Sequence, residues 1–342
     1  MIDFISDTVT KPTPAMRAAM AEAEVGDSMM GEDPTVNALQ EAVCELLQKD
    51  AAIFLPSATM ANEIAFLTHT NRGDEIIMEQ DSHPIRNESG APGFLSGAMI
   101  RPIKGERGVF DEEDMLAVIN EDTHNHPRTR LVSIENTHNL GGGRVWPVGR
   151  MMAVSDATHG KGLKVHLDGA RLMNAVVASD VPAREFASAA DSVTICFSKG
   201  LGAPVGAALA GSKEFIKEAR YFQRVLGGVM RQAGIIAAGA LFALRNNIDR
   251  LADDHENARR LADGLADMDG IDINPAHVET NIVFFDVRRE GMTADEFVAL
   301  LKDKGVRMGA FGGTRVRAIT HLDIAEDDID TALAAVRDVV QQ

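Results

Sequence analysis

The lysine at position 199 sits where a solvated surface charge is badly placed. Upstream of it, Val193, Ile195 and Phe197 recur at period two, the mark of a strand. That strand stops at Ser198-Lys199. Gly200, Gly202, Pro204 and Gly206 follow, a run that continues neither a strand nor a helix and reads as a tight turn. Lysine is the side chain used to condense with aldehydes, and burial brings such an amine into a usable pKa range. On this stretch alone, a lysine snorkelling at a sheet edge accounts for the residue equally well. A second strand, ending in Leu167-Asp168, shifts the balance, with Val165 and Leu167 on one face. Alone, Asp168 also suits a helix N-cap. Together, a Lys ending one strand and an Asp ending another belong at the carboxyl edge of an α/β sheet, where ligands bind. Pyridoxal 5′-phosphate (PLP) uses both groups. An amine engages its aldehyde, and a carboxylate at the ring nitrogen keeps the ring a pyridinium that accepts electrons.

The elements that must position these groups supply a third piece. Ala51–Leu55 is a short apolar strand, Pro56-Ser57-Ala58-Thr59 a turn, and an apolar helix runs from Met60 to about Thr68. Free N–H groups and the dipole at such a helix start favour an anion, here a phosphate; a plain Ser/Thr cap is the simpler use. The glycines at 200, 202 and 206 are not a dinucleotide fingerprint, since the spacing is wrong and a strand follows.

These segments resemble the PLP-dependent threonine aldolases, of the β-eliminating lyase group with the aspartate-aminotransferase-like fold (fold type I). The resemblance is carried by residues 166–171 (HLDGAR), 196–206 (CFSKGLGAPVG) and 227–232 (GGVMRQ). Residues 6–14, 31–37, 135–139 and 320–323 add to it in the same order, so that it covers nearly the whole chain. It implies a carbon–carbon lyase that cleaves L-threonine, L-allo-threonine or a related β-hydroxy-α-amino acid to glycine and an aldehyde. Lys199, Asp168 and His83 would be catalytic, with the His83 imidazole stacked on the cofactor ring and in reach of the substrate hydroxyl. Ser57, Ala58 and Thr59 would hold the phosphate, with Ser198, Arg171 and Arg231 as further cofactor contacts, Arg231 reaching in from a neighbouring subunit. Arg171 and Arg317, with Ser6, would clamp the substrate carboxylate. A histidine near 124–126 would reach a site across a subunit contact. The register leaves His124 and His126 both open, and His126 is taken as the candidate. A homo-oligomer follows, a dimer of dimers with shared sites.

Two positions depart from the family pattern. Ala58 stands where Gly is usual, a strain if the backbone there needs positive φ. Met30 stands where Tyr is usual, which leaves open β-elimination, racemisation or transamination on the same scaffold and, more remotely, a non-catalytic binding protein. Arg86 reads as a salt bridge with Glu88 or as a contact for an acidic substrate. His124-Asn125-His126 looks like a metal pair but has no third ligand nearby, so no metal is expected.

Composition narrows the classes. The chain has 342 residues, 45% hydrophobic and 25% charged, ordinary for a globular protein with an ample core. A net charge of −17 argues against nucleic acid and anionic membrane as partners. Two cysteines, Cys44 and Cys196, are too few for a disulfide framework and suit a cytoplasmic protein. No basic start with an apolar run reads as a signal, and no stretch of about 18 apolar residues reads as a span. The expected fold is α/β. A large PLP-binding domain over 1–250 has a mostly parallel sheet flanked by helices, and a small α+β domain covers 251–342. The large domain includes the N-terminal segment, of which residues 1–12 read as irregular. Helices are expected at 14–24, from Asp33-Pro34 onward, and at 213–224, 228–246, about 250–268, 294–304 and 327–340.

Overall fold

The computed structural model describes residues 1–341. Seven strands form the large sheet, in the order Ala51–Leu55, Ala207–Gly211, Ser192–Cys196, Lys164–Gly169, Thr129–Glu135, Glu75–Glu79, Met99–Ile103. Only Ala207–Gly211 runs antiparallel to its neighbours. The central strands are buried along their length, as sheets covered by helices on both faces require. Val132, Val165, Leu167, Val193 and Ile195 enter the main core, which packs against Val36, Leu39, Val43 and Leu47 of the Pro34–Leu47 helix. Asp33 caps that helix through Val36 N–H at 3.0 Å, with Pro34 in its first turn.

A second unit follows. Its antiparallel sheet takes the order Gly309–Ala310, Arg315–Ile319, Ile282–Val287, Ile271–Asp272. The Leu251–Ala266, Ala294–Asp303 and Glu326–Val340 helices cover it, with Leu261, Leu265, Phe297, Leu301, Val336 and Val339 in a core of their own. The Leu251–Ala266 helix links the two units: Leu251 belongs to the main core and Ala258 to the second.

Three differences from the sequence reading have physical causes. The first residues are not irregular: Ile2–Asp3 pairs in parallel with Val306–Arg307, and Phe4 lies fully buried in the second core. A two-residue strand has no periodicity to betray it. The N-terminal segment, assigned on sequence to the large domain, thus begins on the small one. Residues 228–233 stay outside the helix that starts at Gly234. There Asp33 Oδ2 takes the Gly234 N–H at 2.8 Å, so a distant carboxylate receives the first N–H of the helix. The Leu172–Ser179 and Ala183–Ser188 helices and the Met99–Ile103 strand also escaped the reading. They are short, and their apolar runs lack a clear period.

Candidate active site

The two strand ends that the sequence singled out are neighbours. Lys164–Gly169 pairs in parallel with Ser192–Cys196, with Asp168 opposite Thr194, so Asp168 and the turn carrying Lys199 leave the same edge of the sheet. The turn is rigid. Lys199 C=O accepts from Gly202 N–H at 2.8 Å and from the Thr10 hydroxyl at 3.1 Å, while Asn247 donates to Leu201 C=O at 2.8 Å. Gly202 and Gly206 have φ of 78° and 120°, and a Cβ on Gly206 would meet the Phe54 ring at 2.6 Å. Lys199 lies within electrostatic reach of Asp7 and His83. Among the described residues no carboxylate pairs with it.

Asp168 is buried and held from two sides. Oδ1 accepts from Ala170 N–H at 3.1 Å and Oδ2 from Asn62 Nδ2 at 2.8 Å. It does not cap the following helix, whose N-cap is Arg171. Asn62 is the hinge of a longer network. Its amide also donates to Glu88 Oε1 at 3.1 Å, and its Oδ1 faces His166 Nε2 at 3.2 Å. Both amide hydrogens therefore go to carboxylates, so His166 Nε2 must be the donor to Oδ1. Burial pushes the His166 imidazole down to about 4, so the ring is neutral and its Nδ1 accepts from the Ser192 hydroxyl at 2.9 Å. The hydroxyl in turn accepts from His69 Nε2 at 2.8 Å; burial, with the nearby His166, pushes that ring down to about 3. Every proton from His69 to Asp168 is thus assigned.

His83 is the first residue of the short His83–Arg86 helix. Its backbone N–H donates to Glu135 Oε2 at 2.6 Å, and its Nδ1 lies 2.7 Å from Glu88 Oε1. Burial works against an imidazolium here. The Glu88 hydrogen bond and the charges of Asp168 and Glu88 prevail, and the His83 pKa rises above its ordinary value. Nδ1 is thus occupied, and Nε2 is the nitrogen left free. One ring nitrogen of His83 and one carboxylate oxygen each of Glu88 and Asp168 lie within 4.8 Å of one another, a tight polar cluster at this ring. Arg86, by contrast, pairs with Asp81, its Nε and Nη2 2.9 and 2.6 Å from Oδ1, and not with Glu88, which His83 and Asn62 have taken.

The two candidate clamp arginines differ. Arg171 is buried and bidentate to Asp7, with Nε–Oδ2 at 2.8 Å and Nη2–Oδ1 at 2.7 Å. Burial opposes the Asp7 charge, yet the Arg171 guanidinium, with Lys199 and Asn281, holds that carboxyl well below the usual range. The structure thus commits Arg171 to a side chain of the same protein. Arg317 has no such partner among the described residues. It donates to Asn139 Oδ1 at 3.2 Å and approaches Ile5 C=O at 3.4 Å, its plane lies 4.3 Å from the Phe311 ring centre, and its buried Nε has no acceptor. Burial, then the charge of Arg171, lowers its pKa to about 10. Asn139 N–H donates to Glu135 Oε1 at 2.8 Å, so Glu135 joins His83 and Arg317 through one carboxylate.

The anion site also takes shape. Ser57 caps the Ala58–His69 helix through Met60 N–H at 3.2 Å, leaving the Ala58 and Thr59 N–H groups without intrahelical acceptors. Ala58 is the first helical residue and is not among those with positive φ, so the Gly-to-Ala departure carries no backbone strain. Ser6 caps the Asp7–Val9 turn through Thr8 N–H, and Ser198 Oγ lies 3.5 Å from Cys196 Sγ. The structure does not bring Arg231 or His126 to this site within the chain. Arg231 pairs with Asp27 at 2.9 Å, and His126 contacts Thr123 in an exposed loop. Met30 is exposed.

Sequence reasoning missed Asp7, Asn62, His166 and Glu135 as parts of the site. Asn62 and Glu63, two adjacent polar residues inside an apolar helix directly after the anion turn, were the available signal. The residues present suit a phosphorylated pyridine aldehyde: a lysine without an acid partner, an oriented buried carboxylate, and a helix start with free N–H groups.

The comparisons with known proteins agree with this constellation. A family model describing β-eliminating lyases matches residues 3–288. The low-specificity L-threonine aldolase of Escherichia coli strain K12 is 41% identical over 330 residues, which span 96% of each chain. Low-specificity L-threonine aldolase 1 of Arabidopsis thaliana is 40% identical over 97% of this chain and 94% of its own. Among solved structures, a threonine aldolase of Leishmania major superposes with a TM-score of 0.85 at 21% identity, over 99% of this chain and all of that one. A family match over most of the chain, relatives at this identity over nearly their whole length, and a lysine and an aspartate on one sheet edge together place this chain in the β-eliminating lyase family, among its threonine aldolases.

Proposed function

We propose that this protein is a PLP-dependent aldolase that cleaves L-threonine, L-allo-threonine and related β-hydroxy-α-amino acids to glycine and an aldehyde. One observation carries the reading: Arg317 is a half-buried guanidinium beside the Asp7–Arg171 pair, with a buried, orphaned Nε and no carboxylate partner among the described residues. When bound, PLP supplies an aldehyde carbon for an amine and a protonated ring that takes up the electron pair left at Cα.

The chain's own residues do the rest. Lys199 Nζ is the amine for the cofactor aldehyde. Asp168, fixed by Asn62 and the Ala170 N–H, receives the ring N–H and holds its proton in place. Ser57, Ala58 and Thr59 receive the phosphate at the helix start, with Ser198 beside the lysine. Arg317 and Ser6 fix the substrate carboxylate; a planar guanidinium holds it by two parallel bonds, which sets the rotation about Cα. That rotation aligns the Cα–Cβ bond for cleavage. His83 Nε2 takes the β-hydroxyl proton as the aldehyde leaves. Arg171, being closed by Asp7, serves by holding the N-terminal segment against the site. Arg231 and His126 are exposed residues that serve a neighbouring protomer, in a homo-oligomer built as a dimer of dimers. The two free cysteines support a reducing, cytoplasmic setting.

The test is a visible spectrum of the purified protein followed by product identification on an amino-acid panel. Glycine and acetaldehyde from threonine are expected. Pyruvate and ammonia from serine, without aldehyde from threonine, would overturn the reading in favour of β-elimination.

A further inference from the structure

Behind His83 lies a pair of carboxyl groups that the reaction above does not use. Glu63 is 1% exposed, on the Ala58–His69 helix, and Glu88 is 4% exposed. Both Glu63 oxygens and Glu88 Oε2 are buried without a hydrogen-bond partner. Glu63 lies within hydrogen-bonding reach of Glu88, and the charge set against it is that of Glu88. Glu88 Oε1, by contrast, is fully engaged, by Asn62 Nδ2 at 3.1 Å and His83 Nδ1 at 2.7 Å. Two carboxylates cannot face each other in a buried site with their oxygens orphaned; one proton shared between them satisfies both.

The proton's place follows from the neighbours. Asn62 and His83 donate to Glu88, which favours its anionic form, whereas nothing donates to Glu63 among the described residues. Asp168 and His166 on the Lys164–Gly169 strand, His83 on its short helix and Lys199 on its turn are the other ionisable groups around Glu88 and His83. Burial, then Asp168, works against a charged Glu88 and raises its carboxyl above the ordinary value; the His83 and Asn62 hydrogen bonds oppose them, and Glu63 has no such donor among the described residues.

We propose that Glu63 is a protonated positioning residue that donates to Glu88 Oε2, keeping Glu88 the carboxylate that receives Nδ1–H of His83, and so leaving His83 Nε2 as the nitrogen free for the substrate. The inference rests on the role given to His83 above. Burial, with the facing Glu88, supports it by pushing the Glu63 carboxyl up to about 9.

The experiment compares the protein as isolated with Glu63→Gln and Glu63→Leu at neutral pH. Infrared spectroscopy reads the carboxylic-acid C=O band, and nitrogen NMR of histidine-labelled protein reads the ring nitrogens of His83. The acid band is expected in the wild type, lost in Glu63→Gln, and kept in Glu63→Leu, where it belongs to Glu88. The His83 Nδ1–H signature is expected in the wild type and in Glu63→Gln, whose amide N–H still donates to Glu88. In Glu63→Leu the proton moves to Glu88 and the Nδ1–H signature is lost, giving way to the Nε2–H tautomer. Absence of the acid band in the wild type overturns the proposal. So does a Glu63→Gln ring that changes as much as the Glu63→Leu ring, or a Glu63→Leu ring identical to wild type. Should the leucine variant not fold, the acid band and the glutamine variant decide. Neither readout depends on cleavage of any amino acid, so failure of the aldolase reading and failure of this one are told apart.

Discussion

Arg171 and Arg317 lie near one another, the first buried and the second half-buried, yet one follows the large sheet's Asp168 strand and the other lies within the small sheet's Arg315–Ile319 strand. At the first, charge is closed: Asp7 meets the guanidinium through two parallel bonds, and Asn281 supports the carboxylate at 3.3 Å. At the second, charge is open: an amide, a carbonyl and an aromatic face surround the guanidinium, and no anion does. A buried charge costs several kcal/mol unless it is paired. A closed pair therefore explains itself within the fold, while an open cation points to an anion from outside the chain. Lys199 falls in the open class with Arg317. The distinction sorts the residues that hold the site from those that meet the ligand.

The most severe way to break it is to remove an open group. Lys199→Ala is expected to abolish turnover while leaving thermal stability close to wild type, because no carboxylate loses a partner. Borohydride reduction followed by peptide mapping is expected to find a pyridoxyl group on Lys199 in the wild type only. Cleavage at the wild-type rate by the alanine variant would remove Lys199 from the open class and the mechanism with it.

Removing the closing partner tests the other class. Asp7→Ala leaves Arg171 buried and uncompensated, and is expected to cost ~3–5 kcal/mol of stability in denaturant unfolding. An Asp7→Ala protein of unchanged stability would show that Arg171 finds another anion, and would return it to the list of substrate clamps. Arg317→Met gives the converse. The expected loss is ~100-fold in kcat/KM, close to 3 kcal/mol of transition-state binding. Stability is expected to change by less than about 1 kcal/mol or to rise, since an unpaired, half-buried charge is replaced by an apolar chain of similar length. Equal loss of stability and activity in this variant would count against an external carboxylate.

The open class was the legible one. Lys199 and Arg317, like Asp168, end or line strands whose period-two pattern marks them, so the sequence exposes both the element and the misplaced charge. The alternating helices and strands likewise disclosed the parallel sheet. The closed class was hidden because pairing is a matter of distance in space. Asp7 and Arg171 are 164 residues apart, and Asn62 meets Asp168 across 106. No periodicity links such partners, so Arg171 reads as a free clamp until Asp7 is seen beside it. The same limit made Glu88 a partner for Arg86, two residues away, when its real partners are His83 and Asn62. The two-residue strand at Ile2–Asp3 was illegible for a different reason: its only support is Val306–Arg307, at the far end of the chain.

Glu63 sharpens the comparison, because it is buried and faces a group of its own sign. Closure there needs a proton in place of a partner, and a proton makes the cost depend on pH. Burial and Glu88 raise the Glu63 carboxyl from an ordinary 4.5 to about 9 in the folded chain. Between those values the folded chain holds a proton that the unfolded chain has released. Stability from this group is therefore full below the unfolded pKa and falls as pH rises toward the folded one. Glu63→Gln removes the titration without changing size. The variant is expected to match the wild type at about pH 4 and to exceed it by roughly 3 kcal/mol at pH 7, as measured by urea unfolding. His83 and His138, both raised despite burial by neighbouring glutamates, tilt the wild-type profile in the same direction. They remain in the variant, so the difference between the two curves isolates Glu63. Curves that run parallel from pH 4 to pH 8 would mean that Glu63 titrates alike in the folded and unfolded chains, and the proton that closes this pair would have to come from elsewhere.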